Sequence, residues 1–137
     1  MPDRATLLAL AEEVEKLTGP SREVDLRIWR LCASAAANRA YWGQRPLLSR
    51  SMPEDEAEVV AWRRVKAPTY TGSRDAAAGL MPEGWIWEIR RRAWGFGTLA
   101  ESSGFDDVEG VAPTEPLART ACALRARAAE MEETDHA

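Results

Sequence analysis

Residues 3–35 carry apolar side chains at three- and four-residue spacing, which predicts two amphipathic helices. The first is expected over 3–18, and Gly19-Pro20 is expected to end it because proline cannot continue a helix. Ser21 is expected to cap the second helix through its hydroxyl. Since the connection is short, we expect these two helices to form an antiparallel hairpin.

Residues 38–66 show no clear period, although they contain several aromatic side chains. A segment of this length between two more clearly predicted elements is either an ordered insertion or a mobile loop. Within it, Ser51 followed by Glu54 fits a capping box, in which each side chain satisfies a free backbone amide of the other residue. This pattern predicts a short helix that carries Trp62 near its end.

The stretch from Tyr70 to Trp85 carries the most informative local signals in the chain. Ser73 is expected to cap a short helix over 74–81, and Pro82 is expected to end it. Trp85 then begins an alternation of apolar and polar residues, which is typical of a β-strand. The stretch therefore predicts a helix, a turn and a strand in close succession.

Two further strands are predicted after this one, near Phe96–Glu101 and, more weakly, over 105–111. Short turns separate them, so the three strands are expected to form an antiparallel meander. Thr114 is expected to cap the last helix, whose stripe of leucine and alanine is the most regular in the chain. Small side chains on such a stripe suit a helix that lies flat on a sheet.

These elements together predict an α+β fold. A small antiparallel three-stranded sheet is expected to be sandwiched by the N-terminal helical hairpin, the short middle helix and the C-terminal helix. The length of 137 residues suits one domain. We expect this domain to span 1–131, followed by a frayed acidic tail over 132–137.

Composition and charge narrow the class of protein. No run of residues approaches the roughly 20 apolar positions of a membrane span, and no basic and apolar leader is present, so we expect a cytoplasmic protein. The net charge is −4, with three cations and nine anions in residues 101–137, which disfavours nonspecific binding to nucleic acid. Cys32 and Cys122 lie on apolar helical stripes and are expected to be reduced core thiols.

Two blocks of sequence resemble a known family. Tyr70–Trp85 and Thr114–Arg127 are similar to the signature segments of the phage ABA sandwich family, and Leu7–Pro20 is similar to its start. Members are small proteins encoded by bacteriophages and prophages, with helical layers on both sides of a central sheet. The resemblance implies a viral protein in the bacterial cytoplasm, and it brings no catalytic or binding residues because the family has no established activity.

Candidate catalytic and metal-binding chemistry is sparse. The only histidine, His136, lies in the charged tail, which removes histidine-based triads and histidine-containing metal sites. The carboxylates of Asp106, Asp107 and Glu109 match no calcium-binding loop and are interpreted as a solvated turn. No phosphate-binding glycine motif is present. We therefore expect no enzyme activity, no metal and no cofactor.

The preferred function is binding to a protein partner. Six tryptophans are more than a core of this size usually needs, and aromatic residues and arginine are enriched at protein interfaces. Tyr41, Trp42, Arg45 and Trp62 are the predicted contact residues. Together with the family resemblance, this predicts an accessory protein that binds a host protein, its sharpest form being an inhibitor of a bacterial defence system such as an anti-CRISPR.

Alternative functions remain open at this point. Arg90, Arg91, Arg92 and Trp94 could bind a nucleotide or nucleic acid, because bases stack on aromatic rings while arginines hold phosphates. We rank this below a protein partner because the chain is acidic overall. A virion or assembly component, which would self-associate into a homo-oligomer, is the third alternative.

Overall fold

The computed structural model describes the backbone of residues 3–33, 35–65 and 68–136, and the side chains of 3–33, 36–65 and 68–131. These residues form six helices and a three-stranded antiparallel sheet, so the predicted α+β fold, with helices flanking the sheet, is confirmed. The elements in chain order are α1 (Arg4–Glu15), α2 (Arg22–Cys32), α3 (Ala35–Leu48), α4 (Glu54–Arg64), α5 (Arg74–Leu80), β1 (Ile86–Arg92), β2 (Gly95–Glu101), β3 (Val108–Ala112) and α6 (Glu115–His136). None of the helices described combines the length and the apolar character needed to cross a bilayer. Helix α6 continues through 132–136, where a frayed tail was predicted, and the side chains of these residues, including that of His136, lie outside the described residues.

Most of the predicted helix starts are confirmed by hydrogen bonds. The Ser21 hydroxyl accepts from the Val24 amide at 3.2 Å, and the Ser73 hydroxyl accepts from the Ala76 amide at 3.2 Å. The Thr114 hydroxyl accepts from the Leu117 amide at 3.4 Å. These caps satisfy amides that the first turn of a helix leaves free, which explains why local sequence is a good guide to these positions.

The first helix ends earlier than predicted. Its last residue is Glu15 and Lys16 occupies the C-cap, so Gly19-Pro20 lies in the connection rather than at the helix end. Along its length α1 packs against α6 and reaches β3, while an ion pair of 2.7 Å between Arg27 and Glu13 joins it to α2. The side chains that α1 buries are those of the predicted apolar stripe: Leu7, Leu10, Ala11 and Val14.

Residues 38–66 are helical over most of their length, so a loop is the wrong alternative for this segment. Helices α3 and α4 pack on each other there. The predicted capping box does not form, because the Ser51 hydroxyl donates to the Leu48 carbonyl at 3.4 Å and the N-cap of α4 is Pro53. Glu54 and the two acidic residues after it lie in the first turn of α4, where the helix dipole favours negative charge.

The sheet has the order β1-β2-β3, with antiparallel pairing throughout. A two-residue turn joins Arg92 to its partner Gly95. The third strand starts later than predicted because Phe105 lies before it and packs against the ring of Trp85, with ring centroids 5.5 Å apart. Helix α6 covers one face of the sheet, and we call the opposite face the outer face. The strand register places exposed residues on the outer face: Ile86, Glu88, Arg90, Arg92, Glu101 and Glu109.

Candidate functional site

Three of the four predicted contact residues are interior residues of the helical layer. Tyr41 is completely buried, and Arg45 and Trp62 are less than a tenth exposed, whereas Trp42 is 53% exposed. The predicted surface is therefore wrong for Tyr41, Arg45 and Trp62. For α3 the reason is that its buried side contains a polar side chain and its exposed side contains apolar ones, so the sequence does not show which side is buried.

Tyr41 is held by a polar network that joins three helices. Its phenol oxygen accepts hydrogen bonds from Arg30 of α2 at 2.9 Å and from Arg45 of α3 at 2.6 Å. Glu58 of α4 pairs with both guanidinium groups, at 2.9 Å and 3.7 Å. The Tyr41 ring meets Trp29 edge to face at 4.8 Å between centroids. These residues join α2, α3 and α4.

The outer side of α3 is apolar and exposed. At 100° per residue, Trp42 lies about 100° from Tyr41 in one direction and Leu47 about 120° in the other, so the two side chains lie about 140° apart, near the two borders of the side that α3 exposes. Trp42 is 53% exposed and Leu47 is 61% exposed. We define the α3 outer face by the exposed residues of this helix: Ala36, Asn38, Arg39, Ala40, Trp42, Gly43, Pro46 and Leu47. It contains one charged side chain, which is unusual for the exposed side of a helix and typical of a surface that meets another molecule.

The second predicted set lies at the end of the β1–β2 hairpin. Arg90, Arg91, Arg92 and Trp94 are all exposed, and Trp94 is 60% exposed. The structure therefore brings this set together at the surface, because Arg90, Arg91 and Arg92 end β1 and Trp94 lies in the two-residue turn that follows. We call these four residues the hairpin tip.

The acidic run that was interpreted as a solvated turn borders a groove of about 630 Å³ between α1, α6 and the β2–β3 connection. The carboxylates of Asp106, Asp107 and Glu109 are exposed at its rim, and Leu8 and Phe105 contribute apolar surface. Among the residues that the structure describes, no group of three or more acidic, cysteine or histidine side chains is arranged to hold a metal ion.

Near that groove, Glu15 and Arg125 form an ion pair that the sequence analysis did not identify. The two carboxylate oxygens of Glu15 accept from Arg125 at 2.6 Å and 2.7 Å, and one also accepts from the Val111 amide at 2.8 Å. Arg125 donates in addition to the Glu109 carbonyl at 2.7 Å. Burial opposes ionisation of Glu15, but these hydrogen bonds and the charge of Arg125 outweigh it and lower the pKa of Glu15. The pair connects α1, β3 and α6.

We expect Glu15→Gln to lower the free energy of unfolding by about 2 kcal/mol at neutral pH, because Arg125 loses its charged partner. The pKa of Glu15 lies below its ordinary value of 4.5 in the folded state, so the stabilisation is fully present above that value. It is lost as the pH falls through the folded-state pKa. Urea unfolding at a series of pH values should therefore show the two proteins converging in acid. Glu83→Gln, at an exposed position in the turn before β1, serves as the control, and a constant difference at every pH would contradict the assignment.

Four further nucleophilic or titratable side chains have pKa values above their ordinary values: Cys32, Cys122, Tyr70 and Asp25. Both cysteines are free, and burial raises the pKa of Cys122 to about 12 and also raises the pKa of Cys32. Burial likewise raises the pKa of Tyr70 to about 12. Asp25 is buried, which raises its pKa although Thr71 donates hydrogen bonds to it from the amide and the hydroxyl, both at 2.8 Å. These groups are held protonated or are hydrogen-bonded within the fold.

The geometry thus offers surfaces for binding: the α3 outer face, the hairpin tip and the groove beside Phe105. Comparison of the chain with protein-family models, with curated proteins and with solved structures finds no match.

Proposed function

We propose that this chain is a phage- or prophage-encoded accessory protein that acts by binding a protein of the bacterial host in the cytoplasm, without catalysing a reaction. The sharpest form of the proposal is an inhibitor of a bacterial defence system, such as an anti-CRISPR. The resemblance of Tyr70–Trp85 and Thr114–Arg127 to the phage ABA sandwich family supports the viral context. The observation that carries the binding function is the exposed apolar outer face of α3.

This face has the composition of a protein interface. Tryptophan is among the residues that most often dominate binding energy when an interface covers them, and Trp42 lies at one border of the α3 outer face. Leu47 lies nearly one and a half turns further along the helix, toward the opposite border, and adds apolar area. A partner that covers the exposed halves of these two side chains would recover part of the roughly 1.5–3 kcal/mol that full burial of a large apolar side chain contributes. Arg39 offers a charge near the middle of the same face.

The support beneath this face is rigid. The Trp42 ring meets the buried Tyr41 ring edge to face at 5.2 Å, and Tyr41 is fixed by Arg30 and Arg45. A side chain held in place before binding loses less conformational entropy in the complex. Tyr41 and Arg45 therefore support Trp42 from the interior, although they do not themselves contact a partner.

Trp42→Ala tests the proposal. The wild-type protein would be used to isolate its partner from host cells, and the dissociation constant would then be measured with the purified partner. We expect Trp42→Ala to weaken binding by about 2 kcal/mol, roughly 30-fold in Kd, and Leu47→Ala to weaken it less. The matched control is Trp94→Ala, which removes the other strongly exposed tryptophan, on the hairpin tip.

Trp62 is unsuitable for this test because it is buried, so its removal would confound binding with folding. Melting temperatures of the Trp42 and Leu47 variants close to that of the wild type are required for the comparison. Unchanged affinity of a folded Trp42→Ala variant would contradict the proposed surface. Absence of any host protein that binds the wild-type chain would contradict the proposed function itself.

A further inference from the structure

The hairpin tip concentrates positive charge around an exposed aromatic ring. Side chains alternate along β1, so Arg90 and Arg92 lie on the outer face of the sheet while Arg91 lies on the other side. Trp94 occupies the turn between the strands, and 60% of its surface is exposed. Cations therefore lie on both faces of the hairpin, in the strand that leads into the turn containing Trp94.

The charge at the tip is weakly compensated. Arg90 approaches Glu88 at 3.4 Å, but both side chains are more than half exposed, and such pairs contribute little in water. Neither Arg91 nor Arg92 forms an ion pair within the part of the chain that the structure describes. The acids on this face lie further from the turn than the arginines: Glu88 and Glu109 are in the row after Arg90, where Glu109 borders the same small pocket as Arg90 and Arg92, and Glu101 is in the row after that. The tip is thus a local positive end on a protein with a net charge of −4.

Gly97 leaves space for the Arg92 side chain on the outer face. Gly97 lies across from Arg90 in the neighbouring strand, and a Cβ atom at Gly97 would lie 3.3 Å from Nε of Arg92. The absent side chain leaves room for the Arg92 guanidinium to lie over the sheet next to Arg90. Two guanidinium groups therefore share the outer face, where that of Arg92 lies over Gly97 rather than toward the turn that contains Trp94.

From this arrangement we propose that the hairpin tip binds single-stranded nucleic acid, with a base stacked on Trp94 and phosphates held by Arg90, Arg91 and Arg92. An exposed indole offers a stacking surface to any base, and guanidinium groups match phosphate oxygens in charge and geometry. Duplexes fit less well because their base faces are already stacked. A lipid surface fits less well because the exposed apolar residue Ile86 lies at the opposite end of β1 from Trp94.

This inference does not rest on the proposed host protein. The α3 outer face belongs to the helical layer, whereas the tip belongs to the β1–β2 hairpin. Trp42→Ala and Trp94→Ala therefore separate the two proposals, since each is the control for the other. A failure of nucleic-acid binding would leave the protein-binding proposal intact, and the reverse also holds.

The test is fluorescence anisotropy with labelled oligo-dT and oligo-rU of about 12 nucleotides, a length within the usual site size of such proteins. We expect Trp94→Ala to weaken binding about tenfold. The triple variant Arg90→Gln/Arg91→Gln/Arg92→Gln should weaken binding and reduce the slope of log K against log salt by about 2, measured between about 50 and 200 mM. The matched controls are Trp42→Ala and the exposed-arginine variant Arg22→Gln/Arg50→Gln/Arg63→Gln, both of which should bind like the wild type.

Three results would overturn the inference. The first is the absence of binding to either oligonucleotide at about 50 mM salt, where phosphate contacts are strongest. The second is binding that either variant leaves unchanged. Unchanged binding of the triple arginine variant would exclude the phosphate contacts. Unchanged binding of Trp94→Ala, together with equally strong binding of heparin, would show attraction to any polyanion. The third is binding to anionic phosphatidylserine vesicles without binding to the oligonucleotides.

Discussion

Replacing Gly110 by alanine is expected to lower the free energy of unfolding by about 3 kcal/mol. At this position β3 lies directly on α6, and a Cβ atom would overlap the Ala118 carbonyl oxygen. The same atom would lie 2.6 Å from the Cys122 amide nitrogen and 3.1 Å from Cys122 Cβ. Because most of these atoms belong to the backbone of a long helix, they cannot move aside as the end of a flexible side chain can. The strand and the helix would have to separate.

Gly79→Ala is the matched control for this substitution. Gly79 is exposed in α5, and a Cβ atom there meets nothing within 4 Å. Alanine favours the helix over glycine by up to about 1 kcal/mol, so this variant should be slightly more stable than the wild type. Denaturant unfolding of both variants measures the difference. Equal stability of Gly110→Ala and the wild type would show that α6 does not lie on β3 as described.

Tyr41→Ala is expected to cost about 3–5 kcal/mol of stability, as is usual when a buried aromatic side chain is truncated. The substitution would remove the ring that packs against Trp29 and would leave the guanidinium groups of Arg30 and Arg45 with Glu58 as their remaining shared partner. Tyr41→Phe keeps the ring and isolates the hydroxyl, so its cost should be smaller, about 1–3 kcal/mol. Thermal and urea unfolding would measure both values.

The stability of the two Tyr41 variants shows whether Tyr41 is a residue of the interior or a residue that contacts the partner. If Tyr41 belonged to the partner surface, both variants would fold normally and lose affinity instead. Trp42→Ala, one residue along the same helix, should change stability by much less than Tyr41→Ala because half of its side chain is exposed. A Tyr41→Ala protein as stable as the wild type would contradict the polar network that joins α2, α3 and α4.

The second half of the fold was predictable because its signals are local. Ser73 caps α5, and the alternation after Trp85 forms β1. Helix α3 was not predictable in the same way. Its buried face includes Arg45, so the apolar residues do not follow a helical period. Pro46 lies within the helix, although proline in a sequence usually indicates that a helix has ended. Polar residues can occupy a buried face when partners from other helices satisfy them, and those partners are not visible in the local sequence.

The candidate surfaces were only partly predictable. The count of six tryptophans indicated a surplus of aromatic side chains, but it could not separate Trp42 and Trp94, which are exposed, from Trp29 and Trp62, which are buried. The four residues of the hairpin tip were found because they are adjacent in sequence. The ion pair of Glu15 with Arg125 joins residues 110 positions apart, and only the packing of α1 on α6 brings them together.

The central claim is that the α3 outer face meets a protein partner, and a site-specific crosslink measures this contact most directly. A photo-crosslinking residue would replace Trp42 in one protein and Trp94 in another, and each would be irradiated with the purified partner. We predict a crosslink from position 42 and none from position 94. A crosslink from position 94 alone, or none from position 42 in a complex that still forms, would contradict the claim.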